Sequence, residues 1–191
     1  MAGQQGERRN QILRTLASML EDPHGEKITT AALAERLEVS EAALYRHFAS
    51  KAQMYEGLIE FIETTLFSLI NKIQSDSRNG YAQVEQIISM LLSFAEKNPG
   101  MTRVLTGEAL VHENERLQQR INQLYERIEA AFRQSLRVAQ LAEQLSREHD
   151  SSAHAAVLAA YVTGRWQLFA KTRFKRRPQE GWEAQRAFLL G

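Results

Sequence analysis

The chain has 191 residues, 43% hydrophobic and 25% charged, with a formal net charge of +1 and no cysteine. That mixture fits a folded chain with one good core, or a small module joined to a larger one, and the missing thiols exclude disulfides, iron–sulfur clusters and thiolate zinc sites. A charge so near zero gives no global argument for nucleic-acid binding. Residues 1–56 hold seven Lys or Arg against eight Asp or Glu, so a DNA-binding surface there needs a few well-placed cations, with the acids turned elsewhere.

Only three prolines occur, and no alternating β-branched run is present, so the chain reads as all-helical. From Glu7 to Glu21 the residues Ile12, Leu13, Leu16, Ala17, Met19 and Leu20 keep helical spacing, and Asp22-Pro23-His24-Gly25 ends the run. Thr29 is placed to cap a short second helix with Leu33, Ala34 and Leu37 on one face. Ser40 caps a third, with Glu41 beside its positive end and Leu44, Tyr45 and Phe48 following. Helices this short are marginal alone, so the three must stabilise one another.

Ser50 is the expected cap of a fourth helix from Lys51 to about Gln74, striped by Met54, Leu58, Ile62, Leu66, Leu69 and Ile73. A fifth, from about Ala82 to Glu96, is apolar around enough of its circumference to be buried. Asn98-Pro99-Gly100 precedes a sixth around Thr102 to Leu110. A long seventh is expected over roughly Glu113 to Arg147, an eighth from near Ser151, and a last one beyond Pro178 with Trp182, Phe188 and Leu189. Residues 165–177 form the one basic run, six cations and no acid. The amino terminus lacks the apolar stretch of a signal peptide, and no run approaches the roughly 20 apolar residues needed to span a membrane. Neither export nor a membrane partner is expected, and the absence of cysteine is compatible with a reducing cytoplasm.

The second and third helices, joined through Glu38-Val39, have the spacing of a helix-turn-helix, in which the second helix enters the major groove. Leu33, Ala34, Leu37, Val39, Leu44 and Phe48 can pack the pair. Ala42 and Ala43 permit close approach and can meet thymine methyl groups, though they make no specific hydrogen bond. Thr29, Tyr45, His47 and Lys51 are placed to hold phosphates, and Arg9, Thr30 and Ser40 complete the candidate DNA-binding set. Any compact helical chain also contains short helix pairs, so spacing alone leaves a purely structural pair open.

The run ITT…LAERLEVSEAALYRHFASKAQMY resembles the amino-terminal domain of the TetR family, with Thr29, Val39-Ser40, Tyr45, Phe48 and Lys51 at the motif's recurring positions. Glu38 departs from it, standing where the family usually has glycine; a left-handed backbone there would cost about 1 kcal/mol. The resemblance implies a TetR-like fold: a three-helix DNA-binding domain with its helix-turn-helix over residues 1–50, and a helical dimerisation and partner-binding domain over 51–191. LIEFIE at 58–63, NPGMTRVLTGEAL at 98–110, RLQQRINQLYERIEA at 116–130 and FKRRP at 174–178 are similar to division inhibitors within the family. That similarity implies a nucleoid-associated cytoplasmic protein that binds palindromic double-stranded DNA and also the carboxy-terminal tail of FtsZ, in a groove between the fourth and fifth helices. Local match puts Phe61, Met90, Lys97 and Asn98 on or near the groove, and Leu69 stands where an arginine is expected. Without the resemblance, Phe61 and Met90 read as core residues.

In the eighth helix Ser152, Ala156, Ala160 and Gly164 recur every four residues, with Leu168 beyond them, a stripe on which another helix can pack closely. A homodimer seam is expected, the other possibility being a helix of the same subunit. His112, His149 and His154 lack metal-ligand spacing, and no Ser, His and Asp constellation is visible, so neither a metal, a cofactor nor an enzyme activity is expected. The alternative to the division inhibitor is a ligand-responsive repressor of the same fold.

Overall fold

The computed structural model describes residues 2–22 and 28–190, the first four by backbone alone. In chain order the helices are α1 (Ala2–Met19), α2 (Thr30–Arg36), α3 (Glu41–Tyr45), α4 (Lys51–Asp76), α5 (Gly80–Lys97), α6 (Pro99–Leu105), α7 (Glu115–Leu141), α8 (Ser151–Lys171) and α9 (Trp182–Leu190), with a 3-10 turn at Glu108–Leu110 between α6 and α7. Among the described residues there is no strand, and no helix is long and apolar enough to cross a membrane. From residue 23 on, the turn expected at 22–25 lies outside the described residues.

The caps expected from sequence are made. Thr29 accepts from the Ala32 amide, Ser40 from Ala43 and Ser50 from Gln53, satisfying donors that a helix start leaves unpaired. After α2 the chain turns through Glu38 at φ 55. There the Glu38 amide bonds to the Glu35 carbonyl and the Val39 amide to the Ala34 carbonyl, the two-bond closure of a Schellman motif. The left-handed position that glycine would fill more easily is real, and paired carbonyls offset its strain.

Leu33, Leu44 and Phe48 are buried together with Ile12 and Leu16 of α1, which packs the helix pair against α4. Behind this head, α5 lies among α4, α7 and α8, with Ile87, Ile88, Leu91 and Leu92 fully buried. Trp166 of α8 is fully buried and its indole N–H donates to the Leu91 carbonyl at 3.1 Å. The Tyr125 hydroxyl donates to the Leu105 carbonyl, and burial pushes that phenol up to about 12. Side chains with satisfied polar atoms thus fill the bundle at these positions.

Three features differ from the sequence reading. The expected sixth helix is two pieces, because Gly107 at φ 77 breaks it. Helix α7 starts at Glu115 and stops at Leu141, well short of Arg147, where Glu143 at φ 56 closes another Schellman turn. On α4 the buried face is Met54, Tyr55, Leu58, Ile59, Ile62, Leu66 and Ile70, whereas Leu69 is 39% exposed. The buried row steps by four through Met54, Leu58, Ile62, Leu66 and Ile70 and so winds around the helix, leaving Leu69, one residue before Ile70, beside it.

Head and body meet at α6. Gly100 sits so close to α1 that an added Cβ would lie 2.0 Å from the Ala17 carbonyl oxygen. Three residues on, Arg103 donates to the carbonyls of Leu20 and Asp22, each at 3.2 Å, while its Nε holds Glu108 at 2.8 Å.

Candidate nucleic-acid interface and partner surfaces

The exposed end of the helix pair gathers most of the candidate DNA-binding residues. Thr30 donates from its hydroxyl to Glu41 at 2.5 Å, and the Tyr45 hydroxyl donates to Thr30 at 3.4 Å, so these three side chains form one chain across the tips of α2 and α3. Tyr45 is 45% exposed; its ring is on the surface and its hydroxyl can exchange partners. Thr29, Ser40 and Ala42 are exposed beside it and Ala43 is half-buried. With alanines on the leading face of α3, the acceptor at its start is Glu41, suited to an exocyclic amino group on a base edge.

Arg9 reaches the other end of α3, where its guanidinium donates to the His47 carbonyl at 2.5 Å and lies 4.1 Å from the Phe48 ring centroid. Stacking of that kind fixes a cation without removing its charge. His47 is half-buried, and its Nδ1 is enclosed with no hydrogen-bond partner among the described residues.

Lys51, the first residue of α4, is differently engaged. Its ammonium donates to Glu113 at 2.5 Å, with the two side chains only 20% and 10% exposed, and lies 5.6 Å from the Tyr55 ring centroid. Glu113 is 62 residues away in the chain, just ahead of α7, and no local signal could have paired it with Lys51. Burial, with the Glu113 charge added, pushes the Tyr55 phenol up to about 12.

The proposed groove residues separate. Phe61 is 46% exposed and helps to line a small cavity of about 50 Å³ with Asn10, Leu13 and Arg14 of α1, Leu58 of α4 and Met101 of α6. Met90, Lys97 and Asn98 do not line it. Met90 is half-buried against the core and Lys97 is exposed in the last turn of α5. Asn98 caps α5, donating to the Phe94 carbonyl at 2.7 Å. Met101 lies one turn past Asn98, so the chain connects the α5 end to the Phe61 cavity through α6. The sequence reading missed Met101, Leu13 and Arg14, because the parts α1 and α6 play at this surface depend on how the head docks.

The small-residue stripe is uncovered. Ser152, Ala156, Ala160 and Gly164 are exposed, Leu168 is 39% exposed and Val157 55%, opposite the buried Leu158, Val162 and Trp166. A Cβ added at Gly164 would meet nothing within 4 Å. Among the described residues no helix of the same chain occupies this face.

Of the basic run, Arg165 is spent inside the fold, donating to the carbonyls of Arg177, Pro178 and Glu180. Arg177 pairs with Glu96 at 2.9 Å. Lys171, Arg173, Lys175 and Arg176 are exposed. A cavity of about 560 Å³ lies between α6, the start of α7 and the end of α8, with Arg103, Gln118, Gln167, Lys171 and Arg173 on its walls. Among the described residues no three His, Cys, Asp or Glu side chains are grouped to hold a metal ion.

Two family models match the chain: bacterial regulatory proteins, tetR family, over residues 25–58, and tetracyclin repressor-like, C-terminal domain, over 78–191. The chain is 50% identical to nucleoid occlusion factor SlmA of Aliivibrio fischeri strain MJ11 over 95% of this chain and 93% of that one. It is 49% identical to SlmA of Vibrio vulnificus strain YJ016 over 99% and 97%. Among solved structures, the fatty acid degradation regulator FadR of Bacillus halodurans superposes with a TM-score of 0.78 at 16% identity, covering 96% of this chain and 94% of that one. The MbdR regulator of Azoarcus sp. CIB gives the same score and identity over 94% and 97%. These structures share the fold alone, whereas both family models and relatives half identical along nearly their whole length place the chain itself: it belongs to the TetR family, in the branch of the SlmA proteins.

Proposed function

We propose that this protein is a dimeric, sequence-specific DNA-binding inhibitor of cell division that occupies chromosomal sites and keeps the septum away from the nucleoid. The observation that carries the reading is the match to nucleoid occlusion factors, which covers nearly the whole chain, helix-turn-helix and body alike. In this reading residues 1–50 are the DNA-binding head. Arg9, Thr29, Thr30, Ser40, Tyr45, His47 and Lys51 hold the backbone of a palindromic duplex while Ala42 and Ala43 allow α3 into the major groove. Residues 51–191 join two subunits through the uncovered α8 face and present the second partner surface.

The second partner is the FtsZ carboxy-terminal tail, an acidic peptide with aliphatic side chains. The exposed ring of Phe61 and the neighbouring Met101 offer apolar contact, and Arg14 and Lys97 supply cations. This widens the groove from the α4–α5 pair to α1 and α6. Immobilised synthetic FtsZ tail, challenged with the protein alone and with the protein on a palindromic duplex, tests the reading. Capture in both states is expected. Failure of the tail to capture either form, together with release of the duplex by a small molecule, would make the chain a ligand-responsive repressor instead.

A further inference from the structure

We infer that Glu113 is a built-in competitor for Lys51, so that each subunit exchanges an internal ion pair for a DNA phosphate when it binds. The inference rests on the DNA-binding reading above and adds a control to the same site. Lys51 opens α4 directly behind the recognition helix, where a duplex backbone would pass. Its ammonium is nevertheless closed against Glu113 at 2.5 Å, and both side chains are largely out of solvent. An ammonium has three donors, but one already aimed at a carboxylate in a half-buried site is neutralised for long-range attraction. Taking up a phosphate therefore requires breaking a pair that water barely reaches.

The surroundings provide for the exchange. Glu113, Arg103, Glu108 and Tyr55 line one cavity of about 260 Å³ together with Leu20 of α1. Arg103 now holds Glu108, whose side chain is 41% exposed and readily solvated without it. When Lys51 swings to a phosphate, Arg103 is the cation on the same cavity wall that takes over Glu113, and water takes over Glu108. Buried charge stays compensated throughout. The loop before α7, a part of the body, thereby sets how strongly the head holds DNA.

The test is a set of titrations of full-length protein against a palindromic duplex and a random duplex, at several salt concentrations. Glu113→Gln keeps the shape of the side chain and removes the competing charge. It is expected to bind both duplexes about fivefold or more tightly, with a salt slope near that of wild type, because Lys51 neutralises a phosphate in both complexes. Glu115→Gln, which removes an exposed acid two residues on, measures the through-space effect of losing a negative charge and should change affinity far less. In a Lys51→Ala background, Glu113→Gln should give no more gain than Glu115→Gln does. Equal gains from the two Gln variants, or a Glu113→Gln gain that survives Lys51→Ala, overturns the inference. So does unchanged or weaker binding by a Glu113→Gln protein whose melting curve matches wild type. Failure of the wild type to bind either duplex would overturn the DNA-binding reading itself, and this inference with it.

Discussion

Gly164→Leu separates a free α8 face from a dimer seam by the sign of its effect. In the isolated chain an added Cβ at Gly164 meets nothing within 4 Å, and the position lies inside a 21-residue helix. Glycine there is less favourable than leucine by about 0.7–1 kcal/mol through helix propensity alone, so a monomer would become more stable by that amount. If the face instead packs on its two-fold mate, each leucine enters a seam built for hydrogen and methyl groups, at about 1–3 kcal/mol of overpacking. Symmetry doubles it. Association would weaken by about 2–6 kcal/mol, roughly 30-fold to more than 10⁴-fold in the dissociation constant. Sedimentation equilibrium across a wide concentration range reads the association directly, and thermal melts in the dilute, monomeric limit read the propensity gain. The expected result is a protein that is harder to melt as a monomer yet dimerises and binds palindromic DNA more weakly. A Gly164→Leu protein that stays as dimeric as wild type would move the seam off this face of α8.

Three further outcomes are expected. Gly100→Ala should lower unfolding stability by about 1–3 kcal/mol in a urea titration, because its methyl group would stand 2.0 Å from the Ala17 carbonyl oxygen; an unchanged midpoint would show that α1 and α6 are not tightly seated. Phe61→Ala and Lys97→Glu should each reduce binding of a labelled FtsZ tail in a fluorescence titration while leaving duplex affinity near wild type, and wild-type tail affinity in both would remove this surface from the partner site. The Ala153 and Ser152 amides, the larger effect first, hold the Asp150 carboxyl below its ordinary 3.8. A lowered pKa makes this contribution fully present above about pH 3.8 and lost as the pH falls through the folded-state value. The melting difference between wild type and Asp150→Ala should be constant near neutrality and close at lower pH; a difference that persists into strong acid would show that ionisation of the cap is not its source.

What could be read in the sequence was local. Thr29, Ser40 and Ser50 cap because a hydroxyl ahead of a helical run can only reach amides two or three residues on, and the sequence states that spacing. The left-handed backbone at Glu38 was signalled only through the family resemblance, in which glycine usually stands at that position. The α8 face was legible as a four-residue repeat of small side chains, and its exposure needed only the larger residues to claim the opposite side. Contacts closed by tertiary docking were not legible. Lys51 meets Glu113, Arg103 meets the end of α1, and Phe61 shares a cavity with Met101, each across a stretch of chain that carries no mark of the pairing. Leu69 shows the same limit on a smaller scale, since its exposure depends on how far a long helix has rotated by that point.

The seat of Gly100 on α1 also has a metric consequence. A backbone-to-backbone contact cannot be shortened, and Arg103 pins the adjoining carbonyls of Leu20 and Asp22, so the head has little freedom to roll on α6. If two subunits join at the proposed α8 seam, such heads act as a caliper with a fixed opening rather than as grippers on hinges. One base pair inserted between the half-sites turns one recognition surface about 35° around the duplex. A caliper cannot follow that turn, and the DNA must twist to meet the protein.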